Sequence, residues 1–154
     1  EKGTREVLNI FTQSYNLSQT QGRLSAMMIN EKAVVHVEKK LEEMKSAFSN
    51  NINFLRLHAW FYRSTGRDEK AFEIFKEIDE MANAKGRELY RFAYDSQRDG
   101  HLEIALKSFE YIIDNFDNKS QKLNALYGYI RTLEEKMMME DSIGNEQVMN
   151  VIKR

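Results

Sequence analysis

The sequence predicts an all-α solenoid in which antiparallel helix pairs stack on one another. Residues 53–83 align with residues 87–117 at a spacing of 34 residues. The aligned identities fall almost entirely on apolar, small or glycine positions: Leu55 with Leu89, Ala59 with Ala93, Gly66 with Gly100, Ala71 with Ala105, Phe75 with Phe109 and Ile78 with Ile112. Proline is absent, which favours uninterrupted helices. A repeat kept at its apolar positions indicates stacked supersecondary units rather than one closed catalytic core.

Each clear copy reads as a helix, a glycine turn and a second helix. The four helices predicted here are residues 53–65, 69–82, 87–98 and 102–116. The first helix of each copy is apolar over much of its surface, and the second carries apolar residues at spacings of three and four. Gly66 and Gly100 fit helix C-termini, where a left-handed residue ends a helix without a side-chain clash.

The same register extends upstream into a degenerate copy. Residues 19–30 and 33–48 form its two predicted helices. Residues 5–16 are predicted to be the second helix of a still earlier unit, with Thr4 as the N-cap. Because the chain begins in mid-repeat and at Glu1 rather than Met, we expect a fragment or a processed form of a longer chain.

Downstream, the repeat is incomplete. Leu123, Leu126 and Ile130 begin a third first helix that runs to about Met137, and Gly144 then interrupts the pattern before a short terminal helix over 145–153. The sequence thus predicts one domain, 1–154, with a degenerate repeat at 19–50, clear repeats at 53–85 and 87–118, and a partial repeat with the terminal helix at 120–154.

The amino-acid composition limits the kinds of protein that this chain can be. The chain is 42% hydrophobic and 31% charged, which is typical of a folded, water-soluble domain, and no apolar run suggests a membrane span. There is no cysteine, which excludes thiolate metal sites and a cysteine nucleophile but leaves the compartment open between cytoplasm and periplasm. The net charge of −1 argues against nucleic acid as the partner.

The sequence offers little basis for catalysis. Its three histidines, His36, His58 and His101, are not spaced as a metal-binding pair, and His58 reads as a core residue because it lies in an apolar helix. A glycine-rich phosphate loop is also lacking, since Gly66 and Gly100 punctuate helices. We therefore expect a protein that is not an enzyme and uses no cofactor or metal.

The two clear copies resemble the tetratricopeptide repeat, a 34-residue unit with the pattern W-x2-L-G-x2-Y, then A-x3-F, then P. The family's positions hold Leu55, His58, Ala59, Tyr62, Ala71 and Phe75 in the first copy. In the second copy they hold Leu89, Phe92, Ala93, Ser96, Ala105 and Phe109. The tryptophan position is leucine in both copies, and the closing proline is missing. The resemblance implies a right-handed superhelix, with Phe75 and Phe109 filling the space between successive units.

The resemblance also implies where a partner binds, because first helices line a concave groove in such solenoids and second helices form the outer wall. The candidate partner-binding residues are Arg56, Trp60, Arg63, Arg87, Tyr90, Tyr94, Arg98 and Arg131. The first helices (53–65, 87–98 and 120–136) sum to +4, and the second helices (68–81 and 102–116) sum to −6. Arginine forks interleaved with aromatic rings suit an acidic peptide or one that presents its C-terminal carboxylate.

Three other interpretations remain open at the level of sequence. The charges can simply solvate exposed faces, with Trp60 and Tyr94 packed between helices. A helical repeat can instead bind single-stranded RNA through arginine and aromatic stacking. The chain can also be a regulatory or structural segment of a larger enzyme. The leading prediction is a scaffold that binds a protein or peptide, with its oligomeric state open.

Overall fold

The computed structural model describes the backbone of residues 2–152 and the side chains of residues 3–140. Within these residues the chain is all-helical, which confirms the all-α part of the prediction. Its helices are α1 (Lys2–Ser14), α2 (Leu17–Met27), α3 (Glu31–Phe48), α4 (Ile52–Ser64), α5 (Asp68–Met81), α6 (Arg87–Arg98), α7 (Leu102–Asn115) and α8 (Lys119–Ile152). The described residues divide into two compact units, one ending at Ala84 and the other beginning at Lys85.

The first unit contains α1 to α5. Helices α4 and α5, joined by residues 65–67, pack against each other as a helical hairpin. Helices α2 and α3 both contact α4, and α1 contacts α2 and α3. Ala59 of α4 and Ala71 of α5, two of the alanines that recur in the repeat, are both fully buried in this hairpin.

The second unit contains α6 to α8. Helices α6 and α7, joined by residues 99–101, form a second hairpin, and α8 packs mainly on α7. Ala93 and Ala105 are fully buried here, as their counterparts are in the first hairpin. The large aromatic position differs between the copies, because Phe109 is fully buried whereas Phe75 is half-buried.

Two predicted helix ends are wrong. Thr4 is not an N-cap, because α1 begins at Lys2 and Thr4 lies inside the helix, 6% exposed. Helix α8 does not stop near Met137 but continues through Gly144 to Ile152. One glycine in a helix interior costs only about 1 kcal/mol relative to alanine, which is too little to end a long helix. Residue 153 of the predicted terminal helix lies outside the described residues.

Glycines end the first helix of each hairpin, as the sequence predicted. Gly66 has φ +71°, and the next amide, that of Arg67, donates to the Tyr62 carbonyl at 2.8 Å. Gly100, with φ +82°, ends α6 with the same hydrogen-bonding pattern. This is the Schellman arrangement, which satisfies the last carbonyls of a helix and turns the chain sharply. The positive φ of these glycines is what allows each hairpin to close.

Gly100→Ala is expected to lower the free energy of unfolding by roughly 1 kcal/mol, because a Cβ strains the left-handed backbone. A Cβ built at Gly100 has no neighbour within 4 Å, so backbone strain is the whole effect. Urea denaturation measures the change. Gly22→Ala in α2 is the matched control, with equally open space around it but no positive φ. It should raise stability by about 0.5–1 kcal/mol, and destabilisation by both variants would contradict this account.

Helix α8 turns a face of small residues towards α7. Ala125 and Thr132 are fully buried, and Gly128 lies between them at helical spacing. A Cβ at Gly128 would lie 2.5 Å from Cζ of Phe109, so the helix backbone rests directly on that ring. Leu123, by contrast, is 67% exposed. The close approach at glycine therefore decides which face of α8 is buried.

This orientation departs from the repeat. The register aligns Leu123 with Leu55 and Leu89, both of which are buried. In α8 the leucine position points to solvent, because the packed face has moved to Ala125 and Gly128. The 34-residue pattern thus predicts the helix but not its buried face.

Candidate functional site

Helix α6 of the second unit carries a row of exposed side chains on one face. We call this row the α6 stripe, and it consists of Arg87, Arg91, Tyr94 and Arg98. Spacings of four, three and four place these residues on one face of the helix. The opposite face is buried through Leu89, Phe92, Ala93 and Ser96. The helix is thus strongly amphipathic, and its polar face is dominated by arginine.

The α6 stripe is partly balanced by acids of its own segment. Arg98 Nη1 lies 3.1 Å from Oδ1 of Asp95, and Arg98 Nε lies 3.2 Å from Oδ1 of Asp99. The Arg98 side chain is nevertheless 62% exposed. Tyr94 is 54% exposed, which is high for an aromatic ring. The row therefore offers guanidinium groups and one aromatic face to solvent.

The binding residues predicted on α6 differ in their exposure. Arg87, Tyr94 and Arg98 lie on the exposed row. Tyr90 is half-buried, and its ring meets Phe109 edge-on at 5.7 Å between centroids. Part of the Tyr90 ring therefore packs against α7. Arg91 was missed by the sequence reasoning, although its position four residues after Arg87 was a sufficient signal.

The remaining predicted residues lie on other helices. Arg56, Trp60 and Arg63 are spaced by four and three on α4, in the first unit, and all three are half-buried. Arg131 is exposed on α8, in the second unit. The half-burial of Trp60 agrees with the simpler interpretation that it packs in part between helices, whereas the exposure of Tyr94 does not support that interpretation for its ring.

Helix α8 carries a row of exposed apolar side chains that the sequence reasoning did not single out as a surface. This α8 apolar row is Leu123, Leu126, Tyr127, Ile130, Leu133 and Met137, whose exposed fractions range from 39% to 67%. The spacings of three and four keep the row on one side of the helix. Large apolar side chains gathered on one exposed face are typical of interaction surfaces.

A polar cluster, of which only His58 and Tyr62 are buried, links α3 to the α4–α5 hairpin in the first unit. The Tyr62 hydroxyl donates to Oε1 of Glu42 at 2.6 Å, and His58 Nε2 lies 3.2 Å from the same oxygen. The rings of His58 and Tyr62 stack at 4.7 Å. Arg67 pairs with Glu38 one turn away on α3. His58 is fully buried, as expected for a core residue.

The cluster shifts the pKa of its members in ways that follow from burial and hydrogen bonding. Desolvation lowers the pKa of His58, although the neighbouring Glu42 carboxylate opposes this. The hydrogen bond from Tyr62 lowers the pKa of Glu42, and the hydrogen bond from Arg67 lowers that of Glu38. Burial raises the pKa of Tyr62. The folded state thus holds a neutral imidazole beside the ionised carboxylate of Glu42.

We expect the free energy of unfolding to fall as pH is lowered, in two phases. The folded-state pKa of His58 lies below its ordinary 6.5, so the unfolded chain takes up the proton first and stability is lost as pH falls below that value. The carboxyls of Glu38 and Glu42 have folded-state pKa values below 4.5 and produce a second loss below that pH. Urea denaturation across this pH range measures both phases.

The matched variants for this prediction are His58→Gln and His101→Gln. Removing the buried imidazole should abolish the first phase, whereas removing the exposed His101 should leave it in place. If the slope of stability between pH 7.5 and 5.5 is the same in the His58→Gln variant as in the unchanged chain, the buried histidine is not its source.

Other kinds of site find little support in the part of the chain that the structure describes. No group of three or more His, Asp or Glu side chains there is arranged to hold a metal ion. Among the same residues, no helix combines the length and the apolar character that a membrane crossing requires. No family model, curated protein or solved structure gives a significant match to the chain. The resemblance to the tetratricopeptide repeat therefore rests on the residues alone.

Proposed function

We propose that this chain is a non-catalytic protein-interaction module, a solenoid of tetratricopeptide-like helix pairs that binds an acidic peptide or a partner protein through its first helices. The repeat at 34 residues and the two hairpins support the architecture. The observation that carries the binding proposal is the α6 stripe, which exposes three arginines and a tyrosine on one helix face.

The chemistry of the α6 stripe favours a carboxylate-bearing partner. A guanidinium presents a planar fork of donors that matches the two oxygens of a carboxylate, and Tyr94 adds a rigid contact surface at low entropic cost. Asp95 and Asp99 hold Arg98 in place, which reduces the ordering that a ligand has to impose. An extended or helical acidic segment can follow the row over its full length.

The α8 apolar row supports the same class of function from the same unit. Exposed apolar area contributes affinity that charge pairs in water do not, because rim salt bridges are worth little on their own. A partner that carries apolar anchors beside its acidic residues suits a unit with both surfaces. Arg131 lies on α8 as well and supplies a further positive charge there.

The proposal is tested by selecting ligands from a random-peptide display library and measuring the affinity of the enriched peptides. We expect the selected sequences to be enriched in Asp and Glu, and their affinity to fall as salt is raised. The double variant Arg87→Glu with Arg91→Glu should weaken binding at least roughly tenfold, since each reversal replaces an attraction with a repulsion.

A matched control reverses two exposed arginines of the first unit, Arg5 and Arg23, to glutamate. Net charge then changes by the same amount while the α6 stripe is intact, so affinity should stay near that of the unchanged chain. Equal loss in both double variants would show that only net charge matters. Retention of single-stranded RNA at low salt, with no enrichment of acidic peptides, would favour the RNA-binding alternative instead.

A further inference from the structure

The first unit contains a cavity of about 460 Å³ among α1, α2 and α3. Met27, Ala33 and Val37 are among the side chains that give it an apolar wall. Its volume lies within the range of about 300–1,000 Å³ that small-molecule sites occupy. It is remote in sequence from α6 and α8, so an inference about it does not depend on the proposed function.

Three polar side chains converge on this apolar wall. Thr4 of α1 lines the cavity and is only 6% exposed. Lys32 and His36 also line it, four residues apart on α3 and therefore on one helix face. The Nε2 atom of His36 is buried and has no hydrogen-bond partner within the described part of the protein. A buried polar atom of this kind calls for a ligand or a water molecule to satisfy it.

The electrostatics of the cavity favour an anion. Its lining, as far as the structure describes it, includes the cationic residue Lys32 and no acidic residue. It also lies beside the N-terminal turns of α3, where the helix dipole is positive. The N-cap Asn30 accepts from the Ala33 amide at 3.0 Å, so that amide is already satisfied, and the donors proposed for a ligand are those of side chains.

We propose that this cavity binds a small aliphatic carboxylate. The carboxylate oxygens accept hydrogen bonds from His36 and Lys32, and the hydrocarbon part lies against Met27 and Val37. An apolar wall with a few convergent donors at one side suits an amphiphilic anion better than an inorganic one, because an inorganic ion leaves the wall uncovered. The ligand also satisfies the Nε2 atom that the fold leaves buried.

The test is an NMR titration of the whole chain with hexanoate, with 1-hexanol as the matched probe that lacks the charge. Hexanoate should shift the His36 imidazole and Met27 methyl signals with a dissociation constant on the order of 1 mM, as expected for a ligand with so few atoms. Hexanol should bind at least about tenfold more weakly, since it forms no charge-assisted hydrogen bond. Equal affinity for both probes would overturn the carboxylate assignment.

Two variants, with one control, test whether hexanoate binds in this cavity. Lys32→Glu should weaken hexanoate binding at least roughly tenfold while leaving the fold intact, because an acid in the first turn of a helix is favourable. Lys39→Glu is the control, since this exposed residue of α3 does not line the cavity and the charge change is identical. Ala33→Leu should also weaken binding by filling the cavity, as checked against an unchanged amide spectrum elsewhere.

Each result decides the proposal. Loss of binding in Lys32→Glu and Ala33→Leu, with binding kept in Lys39→Glu, supports the site. Undiminished binding in the first two variants places hexanoate elsewhere and overturns it. If the His36 and Met27 signals do not move in ~50 mM hexanoate, well above the expected dissociation constant, the cavity holds only water and the proposal fails. Peptide binding at the α6 stripe is a separate measurement and is unaffected by any of these outcomes.

Discussion

Phe109→Ala is expected to lower the free energy of unfolding by about 3–5 kcal/mol, the largest effect of any single change considered for this chain. The Phe109 ring is fully buried, and it meets both the Tyr90 ring of α6 and the backbone of α8 at Gly128. Removing it leaves a cavity bounded by three helices. Because α8 rests on this ring, the variant should also loosen the attachment of α8 to α7.

The matched control is Phe75→Ala, at the equivalent position of the first hairpin. Phe75 is half-buried, so its truncation forfeits less buried area and should cost clearly less than the truncation of Phe109. Urea denaturation gives both values, and hydrogen exchange of α8 amides reports whether that helix loosens. Equal destabilisation by the two variants would mean that the position in the repeat, and not the observed burial of the ring, determines the loss in free energy of unfolding.

The two hairpins could be predicted from the sequence because their signals are local. Gly66 and Gly100 need a left-handed conformation wherever the chain turns, and alanines such as Ala71 and Ala105 mark where helices approach closely. These requirements repeat every 34 residues, so two copies reinforce each other. Helix existence and the turns between helices follow directly from such features.

The buried face of α8 could not be predicted in the same way. Leu123 sits at the register of two buried leucines, and hydrophobicity alone would bury it as well. Which face of α8 packs depends on the shape of the surface of α7. The buried ring of Phe109 on α7 lies against Gly128 of α8, and the face that carries Leu123 is left exposed. The repeat pattern carries no information about this contact, because the earlier first helices have Trp60 and Tyr94 at the position that Gly128 takes in α8.

The candidate site was predictable in part. A helix with arginines at 87, 91 and 98 exposes them on one face whenever Leu89 and Phe92 face the core. Carrying over the groove positions of the tetratricopeptide repeat, which the sequence resembles, selected Tyr90 and not Arg91, because that assignment follows the resemblance and not the local amphipathic pattern. The cavity beside α3 was beyond sequence reasoning, since it arises from three helices that meet only in the fold.

Gly128→Ala tests whether the contact between Gly128 and Phe109 determines which face of α8 is buried. An alanine in place of a helical glycine normally stabilises by about 0.5–1 kcal/mol, as expected for Gly22→Ala. At Gly128 the added Cβ would lie 2.5 Å from Cζ and 2.6 Å from Cε1 of Phe109, distances that require the ring or the helix to move. We therefore expect a net loss of about 1–3 kcal/mol, opposite in sign to the control.

A double-mutant cycle separates this clash from other consequences of the substitution. Phe109→Leu shortens the side chain that meets the new Cβ, so Gly128→Ala should cost less in that background than in the unchanged chain, and the two effects should not add. Urea denaturation of the four proteins gives the coupling energy. Additive effects would show that the ring does not set the approach of α8. A smaller cost of Gly128→Ala in the Phe109→Leu background would mean that one ring–glycine contact holds Leu123 and its row in solvent. The α8 apolar row would then be a consequence of core packing in its own unit.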